Sequence, residues 1–319
     1  PTKISWSRAL KNDLKKEKKL EFETSSVYKC MYRPFIKSWM YFNRRLNEMV
    51  YQMPQIFPFP NAENTVISVN VNPKKGFCLL ITNVIPDFHL LGDVQCFPLY
   101  IYELSEGKMV RKDAISDLSL DKFNSFYSVS NIGKEDIFYY IYGLLHSDDY
   151  RSRYAANLSK ELPRIPCVKT AKDFWILSKA GRDLAKLHLN YETVEPYKAT
   201  IDTGSLLYSQ LGKDDFYVEK MKFAKKDEKS TVIYNNKIRI KNIPVEAYDY
   251  IVNGKPALEW VMERQSVSKH KDSGIVNDAN DWAIETMDNP RYPLELFLRI
   301  ITVSLETQKI INNLPKLEI

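Results

Sequence analysis

The sequence predicts an α+β fold, with a mixed sheet in a β-rich N-terminal half and helices in the C-terminal half. Residues 54–98 contain six prolines, which exclude long helices from that part of the chain. Apolar runs of strand length occupy the same half, whereas apolar residues at three- and four-residue spacing begin near residue 131. The chain therefore divides into a basic lead-in helix over 1–19, a β-rich part over 20–130 and a mainly helical part over 131–319.

The β-rich part opens on an aromatic and basic stretch, CMYRPFIKSWMYFNRRL at residues 30–46. Aromatic rings interleaved with cations are typical of a nucleic-acid stacking platform, and equally of a strand whose rings face a core. Pro34 disfavours a helix, and the alternation over residues 38–42 puts rings on both faces of a strand, as in a buried sheet. We assign these rings to the core and treat Arg44 and Arg45 as candidates for phosphate contact.

Three further strands and three helices are predicted downstream. The strands come from the runs NTVISVN, GFCLLITNVI and VQCFPLYIYEL. Residues 135–162 predict two helices, with Gly143 and Ser147 at the break and Ser147 as N-cap. Residues 170–191 predict the third helix, in which His188 lies beside the apolar stripe and is interpreted as a satisfied core histidine.

Residues 214–243 return to strand character and predict a basic β-meander with a tight turn at Asn235–Asn236. Lys220 and Lys222 are expected on one face of its first strand. Its last strand is expected to have a basic face, with Lys237, Arg239 and Lys241, and an apolar face, with Ile238 and Ile240. The remaining chain predicts a helix from Pro256, a loop over 266–281 and a final helix from about Pro293.

Positive charge is concentrated in two segments. Of the net charge of +6, residues 1–19 hold seven cations against two anions, and residues 213–241 hold nine against five. This concentration fits contact with a polyanion, and it equally fits two solvated surface faces.

Composition excludes several classes of protein. Hydrophobic residues at 44% and charged residues at 27% indicate a globular chain, and no apolar run approaches the roughly 20 residues that span a bilayer. The four cysteines form no CxxC pair, which predicts reduced, mostly buried thiols in a cytoplasmic protein. The four histidines are scattered, so no metal site is predicted.

Catalytic motifs are absent from the sequence. There is no GxxxxGK[ST] or GxGxxG phosphate cradle and no Asn-Pro-Pro-Tyr/Phe tetrapeptide for holding an extruded adenine. Asp148 and Asp149 follow Ser147, where acidic residues are expected at the start of a helix.

Six phrases occur in order between residues 28 and 308: YRPFIKSWMYFN, ITNVIPDFHLLGDVQCFPLY, EDIFYYIYGLLHSDDYRSRYAANLSKELPRIP, VNGKPALEWVMERQ, SGIVNDANDW and RYPLELFLRIITVSLET. Together they resemble the C-terminal target-recognition (specificity) region of type ISP restriction–modification enzymes. These enzymes are single polypeptides that join a nuclease, a helicase-like ATPase, an adenine methyltransferase and a target-recognition domain.

The resemblance implies one compact target-recognition region. It would bind duplex DNA sequence-specifically and present a target adenine to an upstream N6-adenine methyltransferase domain. Its partners would be duplex DNA and the upstream methyltransferase, helicase-like and nuclease domains of the same polypeptide. No cofactor is expected in this chain, because S-adenosylmethionine, ATP and Mg belong to the parent enzyme. The chain alone is therefore expected to be non-catalytic.

Residues shared by a whole family cannot distinguish one member's target from another's, so base readers are expected between the shared phrases, above all at 213–241. The loop over 266–281 is a second candidate, because Lys, His and Asn contact phosphates and base edges. The candidate DNA-contacting residues are Arg44, Arg45, Lys220, Lys222, Lys225, Lys226, Asn235, Asn236, Lys237, Arg239, Lys241, Lys269, His270 and Lys271.

Two rival hypotheses stay open at this point. The chain is a stand-alone nuclease or methyltransferase, or it is a protein-interaction module within a larger polypeptide. Methyl transfer or cleavage by the chain alone would favour the first rival. A lack of salt-sensitive duplex binding would favour the second.

Overall fold

The computed structural model describes residues 6–71, 76–128, 131–271 and 274–319. Its helices are α1 (Arg8–Lys15), α2 (Met53–Ile56), α3 (Asp117–Phe126), α4 (Lys134–Leu144), α5 (Asp148–Arg153), α6 (Ala155–Leu158), α7 (Ala171–Leu189), α8 (Ala257–Arg264), α9 (Ala279–Asp281) and α10 (Tyr292–Asn312). A π-helical turn follows α9 at Trp282–Thr286. Of the lead-in helix predicted over 1–19, residues 1–5 lie outside the described residues, and among residues 6–19 the helix covers Arg8–Lys15, where only Leu10 is buried.

The strands of the N-terminal half are β1 (Val27–Arg33), β2 (Ile36–Tyr41), β3 (Val66–Asn70), β4 (Leu79–Thr82), β5 (Ile85–Pro86), β6 (Val94–Pro98), β7 (Tyr100–Ser105) and β8 (Lys108–Asp113). Those of the C-terminal half are β9 (Thr200–Asp202), β10 (Lys222–Lys225), β11 (Glu228–Ile233), β12 (Arg239–Lys241), β13 (Ile251–Val252), β14 (Lys255–Pro256), β15 (Val267–Lys269) and β16 (Val276–Asp278). Helices and strands are both abundant, so the predicted α+β class is confirmed.

The strands form several small sheets rather than one large one. β1 lies between β2 and β5 and pairs antiparallel with β2 and parallel with β5, which gives the mixed sheet that the sequence predicts. β3 lies between β4 and β6, and β7 pairs with β8 as a hairpin. The predicted meander is present as β10–β11–β12, and β9 joins it as a fourth strand that the sequence did not predict.

Three hydrophobic cores hold these elements together. The first core packs the β9–β12 sheet against α8 and α10, and includes Phe35 from the β1–β2 turn. The second packs α4 and α7 against β3 and β4. The third lies under β1, α2 and the start of β3, with Phe57 and Tyr102 buried in it. Burial of this apolar surface is the main force that fixes each sheet on its helices.

Two glycines allow α4 and α7 to pack closely. A Cβ at Gly143 would lie 2.2 Å from the carbonyl oxygen of Leu177, and one at Gly181 would lie 1.8 Å from that of Tyr139. Gly143 also lies one residue before the end of α4, and Ser147 caps α5, so these two residues bracket the break as predicted.

The predicted core histidine is confirmed. His188 is buried, its Nδ1 lies 2.7 Å from the Tyr142 hydroxyl, and its Nε2 lies 2.9 Å from Thr307 Oγ1. Both ring nitrogens have partners, so the histidine is a structural element of the contact between α4, α7 and α10.

The assignment of all the rings in residues 30–46 to the core is wrong in part. Phe35 is fully buried and Phe42 packs against the third core, but Trp39 is 50% exposed and Tyr32 is 37% exposed. The reason is topological. β2 is the edge strand of its sheet, and only one face of β1–β2 is covered by the third core. Trp39 lies on the face that the third core does not cover, whereas Tyr32 lies at the register shift between Met31 and Arg33.

The predicted loop over 266–281 is also wrong. β15 and β16 pair antiparallel, with Val267 opposite Asp278 and Lys269 opposite Val276, and α9 and the π-helical turn follow. Three-residue strands carry too little alternation to be read from sequence. The two predicted proline-started helices are close to their expected positions, since Pro256 is the N-cap of α8 and Pro293 lies in the first turn of α10.

Candidate nucleic-acid interface

The β9–β12 sheet has one apolar and one basic face, as the alternation of its residues predicts. On the inner face Val232 and Ile240 are fully buried, with Ile201 and Phe223 packed beside them against the first core. Ile238, just before β12, is also fully buried. The inner face fixes the sheet to the domain, so the outer face presents its side chains at defined positions.

One row of the outer face crosses all four strands. Lys222 lies opposite Ile233, Ile233 opposite Arg239, and Arg239 opposite Asp202. Lys241 lies two residues beyond Arg239 on the same face and forms an ion pair with Asp202 at 2.6 Å. Its hydrogen bond lowers the pKa of the Asp202 carboxyl below the ordinary value, with a backbone hydrogen bond from Gly204 adding to the effect.

The cations of this segment differ in how far they are neutralised. Lys225 pairs with Glu228 at 3.2 Å, and Lys237 pairs with Asp215. Within the sheet and the turn that leads into it, from Lys220 to Lys241, four cations form no ion pair with any residue that the structure describes: Lys220, Lys222, Lys226 and Arg239. Lys226 lies at the two-residue turn between β10 and β11, and all four side chains are exposed. These four are the residues of the segment whose charge is available to a ligand.

Asn235 and Asn236 have different roles in the turn between β11 and β12. The Asn235 amide donates to the carbonyl oxygens of Asp215 and Tyr217, at 2.8 and 2.9 Å. Its carbonyl accepts from the backbone N–H of Lys237 and of Ile238. Asn235 is therefore occupied by the fold, and its candidacy as a base reader is weakened. Asn236 is exposed at the tip of the turn.

The hairpin β15–β16 lies next to the sheet. Lys220 bridges to Ser266, and the Val267 N–H donates to the carbonyl oxygen of Glu219 at 2.9 Å. Lys269 ends β15, and His270 and Lys271 follow it in exposed positions. The hairpin therefore adjoins the meander at Lys220. We use the name basic sheet surface for the exposed candidates of these two neighbouring elements: Lys220, Lys222, Lys226, Asn236, Arg239, Lys269, His270 and Lys271.

Arg44 and Arg45 belong to a different part of the molecule. They lie in the exposed turn after β2, beside the third core, where the Asn43 side chain accepts from the Arg45 N–H at 3.0 Å. Helix α1 is close to this turn, since Arg8 forms an ion pair with Glu48 at 3.4 Å. The basic lead-in helix and the arginine turn therefore form a second cationic region.

The sequence matches the family described as the type ISP C-terminal specificity domain over residues 1–296. The chain belongs to this family. No curated protein sequence matches it.

Solved structures similar to this specificity domain are complexes with DNA. One is the ATP-dependent type ISP restriction–modification enzyme LlaBIII bound to DNA, with 37% identity, a TM-score of 0.89 and 99% of this chain covered. A second is a nuclease-deletion mutant of the type ISP enzyme LlaGI with a DNA substrate mimic, with 39% identity, a TM-score of 0.84 and 100% covered. A third is the DrdV–DNA complex, with 32% identity, a TM-score of 0.83 and 99% covered. This specificity domain spans 20%, 23% and 31% of those chains.

Sequence reasoning missed two pairs of an aromatic ring and a cation, one on β1–β2 and one on β7–β8. Lys29 lies opposite Trp39 across the two strands, with its Nζ 5.2 Å from the centroid of the Trp39 ring. Arg111 similarly lies with Cζ 4.3 Å from the centroid of the Tyr100 ring. The interleaving of rings and cations at 30–46 could have revealed the first pair. It was not used, because Trp39 was assigned to the core.

Two features are absent from the described parts of the chain. No group of three or more His, Cys, Asp or Glu side chains there is arranged to hold a metal ion. No described helix is long and apolar enough to cross a membrane.

Proposed function

We propose that this chain recognises a specific sequence in duplex DNA, as the target-recognition part of a type ISP restriction–modification enzyme. Membership of the specificity-domain family supports the role. The observation that carries the proposal is the outer row of the β9–β12 sheet, where Lys222 and Arg239 are exposed without an ion pair on a face anchored by a buried apolar back. Unneutralised cations at fixed positions are the groups that duplex phosphates and guanine edges attract.

The dimensions of the sheet constrain how it meets DNA. Four strands at the usual spacing span about 14 Å between the outer strand axes. The major groove is about 12 Å wide and admits a two-stranded ribbon. The whole face is therefore too broad to enter, and we propose that the β10–β11 edge enters while Arg239 on the neighbouring β12 reaches in from beside it. The Lys226 turn and Asn236 lie at the two ends of β11, where they meet the groove floor or its walls.

We further propose that the domain positions a target adenine for a methyltransferase domain elsewhere in a longer polypeptide. S-adenosylmethionine, ATP and Mg²⁺ would then act in the other domains, together with the helicase-like and nuclease activities. This chain covers at most 31% of each of its structural relatives, which supports placing these activities in other domains. A cytoplasmic location fits the four free cysteines, since structural disulfides are rare there.

Duplex binding at several salt concentrations tests the proposal. We expect the logarithm of the binding constant to fall linearly with the logarithm of salt, because each phosphate contact releases a counterion. Lys220→Ala/Lys222→Ala should flatten the slope. Lys160→Ala is the control, since Lys160 is exposed, lies in the helical region of the second core and forms no ion pair with a described residue. A slope that is the same in the double variant and the control would contradict the assignment to the sheet. No salt-sensitive binding at all would contradict DNA recognition by this chain.

A further inference from the structure

A cleft of about 730 Å³ lies on the open face of the β1–β2 hairpin. Its walls are Lys29 and Trp39 from β1–β2, the segment 60–65, Tyr100 and Arg111 from β7–β8, and the end of α7 at Asn190. A cavity of this size is within the range that takes a nucleotide-sized ligand. It is separate from the basic sheet surface, whose residues do not line it.

Each side of the cleft carries one aromatic ring with one cation over its face. Lys29 lies over Trp39 and Arg111 over Tyr100, at 5.2 and 4.3 Å from the ring centroids. Both rings are held by sheets, and both cations are exposed. A base can stack on either ring while the neighbouring cation contacts the phosphate of the same nucleotide. Each ring and its cation together therefore match one nucleotide.

The Trp39 ring is held in place although it is 50% exposed. Its Nε1 donates to Thr286 Oγ1 at 3.0 Å, and its ring packs on Trp282 at 5.9 Å between centroids. Thr286 belongs to the π-helical turn, far from Trp39 in sequence. Because these contacts already hold the exposed ring in one position, it loses little side-chain entropy when a ligand stacks on it.

The polar groups of the cleft favour nucleic acid over protein. Three exposed amides line it, from Asn61, Asn83 and Asn190, and its single acidic lining residue, Glu63, lies 3.8 Å from Arg111. Amides read base edges, and the cations attract phosphate. A protein-docking surface would instead be expected to be a contiguous apolar patch.

We propose that this cleft binds an unpaired nucleotide of the DNA, with its base stacked on Trp39 or Tyr100 and its phosphate near Lys29 or Arg111. The base must be unpaired, because paired bases keep their faces within the stack. The inference rests on the proposed function, since methylation of an adenine in a duplex requires that base to be extruded, which leaves its partner unpaired.

The test uses this chain and a short single-stranded oligothymidylate, which needs no knowledge of the target sequence. Trp39→Ala should weaken binding of the strand on the order of ten-fold, the worth of one base–aromatic stack, while binding to duplex is unchanged. Trp39→Phe keeps a ring and should retain most of the affinity. Trp175→Ala is the matched control, because Trp175 is 39% exposed on α7 and does not line the cleft.

Cross-linking gives an independent readout. An oligothymidylate that carries 5-iodouracil should cross-link on irradiation to peptides containing Trp39 or Tyr100. Equal strand binding by Trp39→Ala and wild type, together with cross-links confined to other regions, would overturn the proposal. Duplex binding separates the two hypotheses. If wild type binds duplex with salt-dependent affinity but the single-strand experiments show no role for the cleft, only this inference is contradicted. If wild type does not bind duplex, the proposed function is contradicted as well.

Discussion

The ion pairs and shapes of single side chains indicate which cations of the sheet can contact DNA. Arg239 lies between Ile233 and Asp202 in the outer row and has no ion pair with a described residue. Its planar guanidinium can donate to guanine O6 and N7 together, whereas a lysine acts more as a point charge. Lys222, at the sheet edge, is therefore expected to contact phosphate, and Arg239 to read a base.

The two residues should differ when replaced in a full-length enzyme that contains this domain. Arg239→Ala should relax methylation at one position of the target, by about 1–3 kcal/mol of discrimination. Lys222→Ala should weaken binding on all sequences and lower the salt slope by about one. Both side chains point away from the core, so thermal unfolding should be unaffected. Mapping of modified sites measures the first effect, and unchanged specificity with full activity in Arg239→Ala would show that the readers lie elsewhere.

The adjacent asparagines supply a matched pair for stability. Asn235→Ala leaves the carbonyl oxygens of Asp215 and Tyr217 and two backbone N–H groups without their partner. These bonds are partly buried or exposed, and one such bond is worth about 0.5–1.5 kcal/mol, so we expect the free energy of unfolding to fall by roughly 1 kcal/mol or more. Asn236→Ala should leave it unchanged. Urea denaturation of both variants is the measurement, and equal stability would mean that the turn tolerates loss of the Asn235 bonds.

At the scale of elements, the packing of α4, α7 and α10 depends on neutral histidines. Burial lowers the pKa of His188 to about 3, from an ordinary value of 6.5. Burial also lowers the pKa of His146, and the nearby Arg151 and His188 add to that effect. His146 has its Nδ1 2.8 Å from the carbonyl oxygen of Tyr142, one turn earlier on the chain. The two rings are part of one packed cluster, with centroids 5.8 Å apart.

Acid should therefore destabilise the fold through these histidines. Above pH 6.5 both folded and unfolded states hold His188 neutral, so its contribution is fully present. As the pH falls below 6.5 the unfolded state gains a proton that the folded state does not, and stability falls by about 1.4 kcal/mol per pH unit for each such histidine. Denaturant midpoints between pH 7.5 and 5 measure the slope. His188→Gln should reduce the slope by the amount that corresponds to one proton. An identical slope in His188→Gln would contradict this account.

Elements also mark the limit of what the sequence alone predicts. The meander, the apolar back at Ile238 and Ile240 and the core position of His188 follow from periodicity and are confirmed. The hairpin β15–β16 and strand β9 are three residues per strand, too short for a periodic signal. The exposure of Trp39 depends on which strand is the edge of the sheet, and the role of Asn235 depends on carbonyls 18 and 20 residues away. Neither is encoded locally.

The whole molecule separates its positive charge into two regions. The basic sheet surface lies on the first core, whereas α1 and the Arg44–Arg45 turn lie beside the third. Helix α1 exposes Lys11 and Lys15 and buries only Leu10, so its fold contribution is small and its charge is available. If one duplex crosses both regions, each region adds its own phosphate contacts, and effects at well-separated sites add.

Substitutions in both regions test whether they meet one duplex. We expect Lys11→Ala/Lys15→Ala to reduce the salt slope by about two, since each lost phosphate contact removes about 0.9. Combined with Lys220→Ala/Lys222→Ala, the two reductions should add, because the regions share no contact residue. Unfolding should be unchanged in the α1 variant. If its slope equals that of wild type, Lys11 and Lys15 have no part in recognition and this face of α1 is solvated.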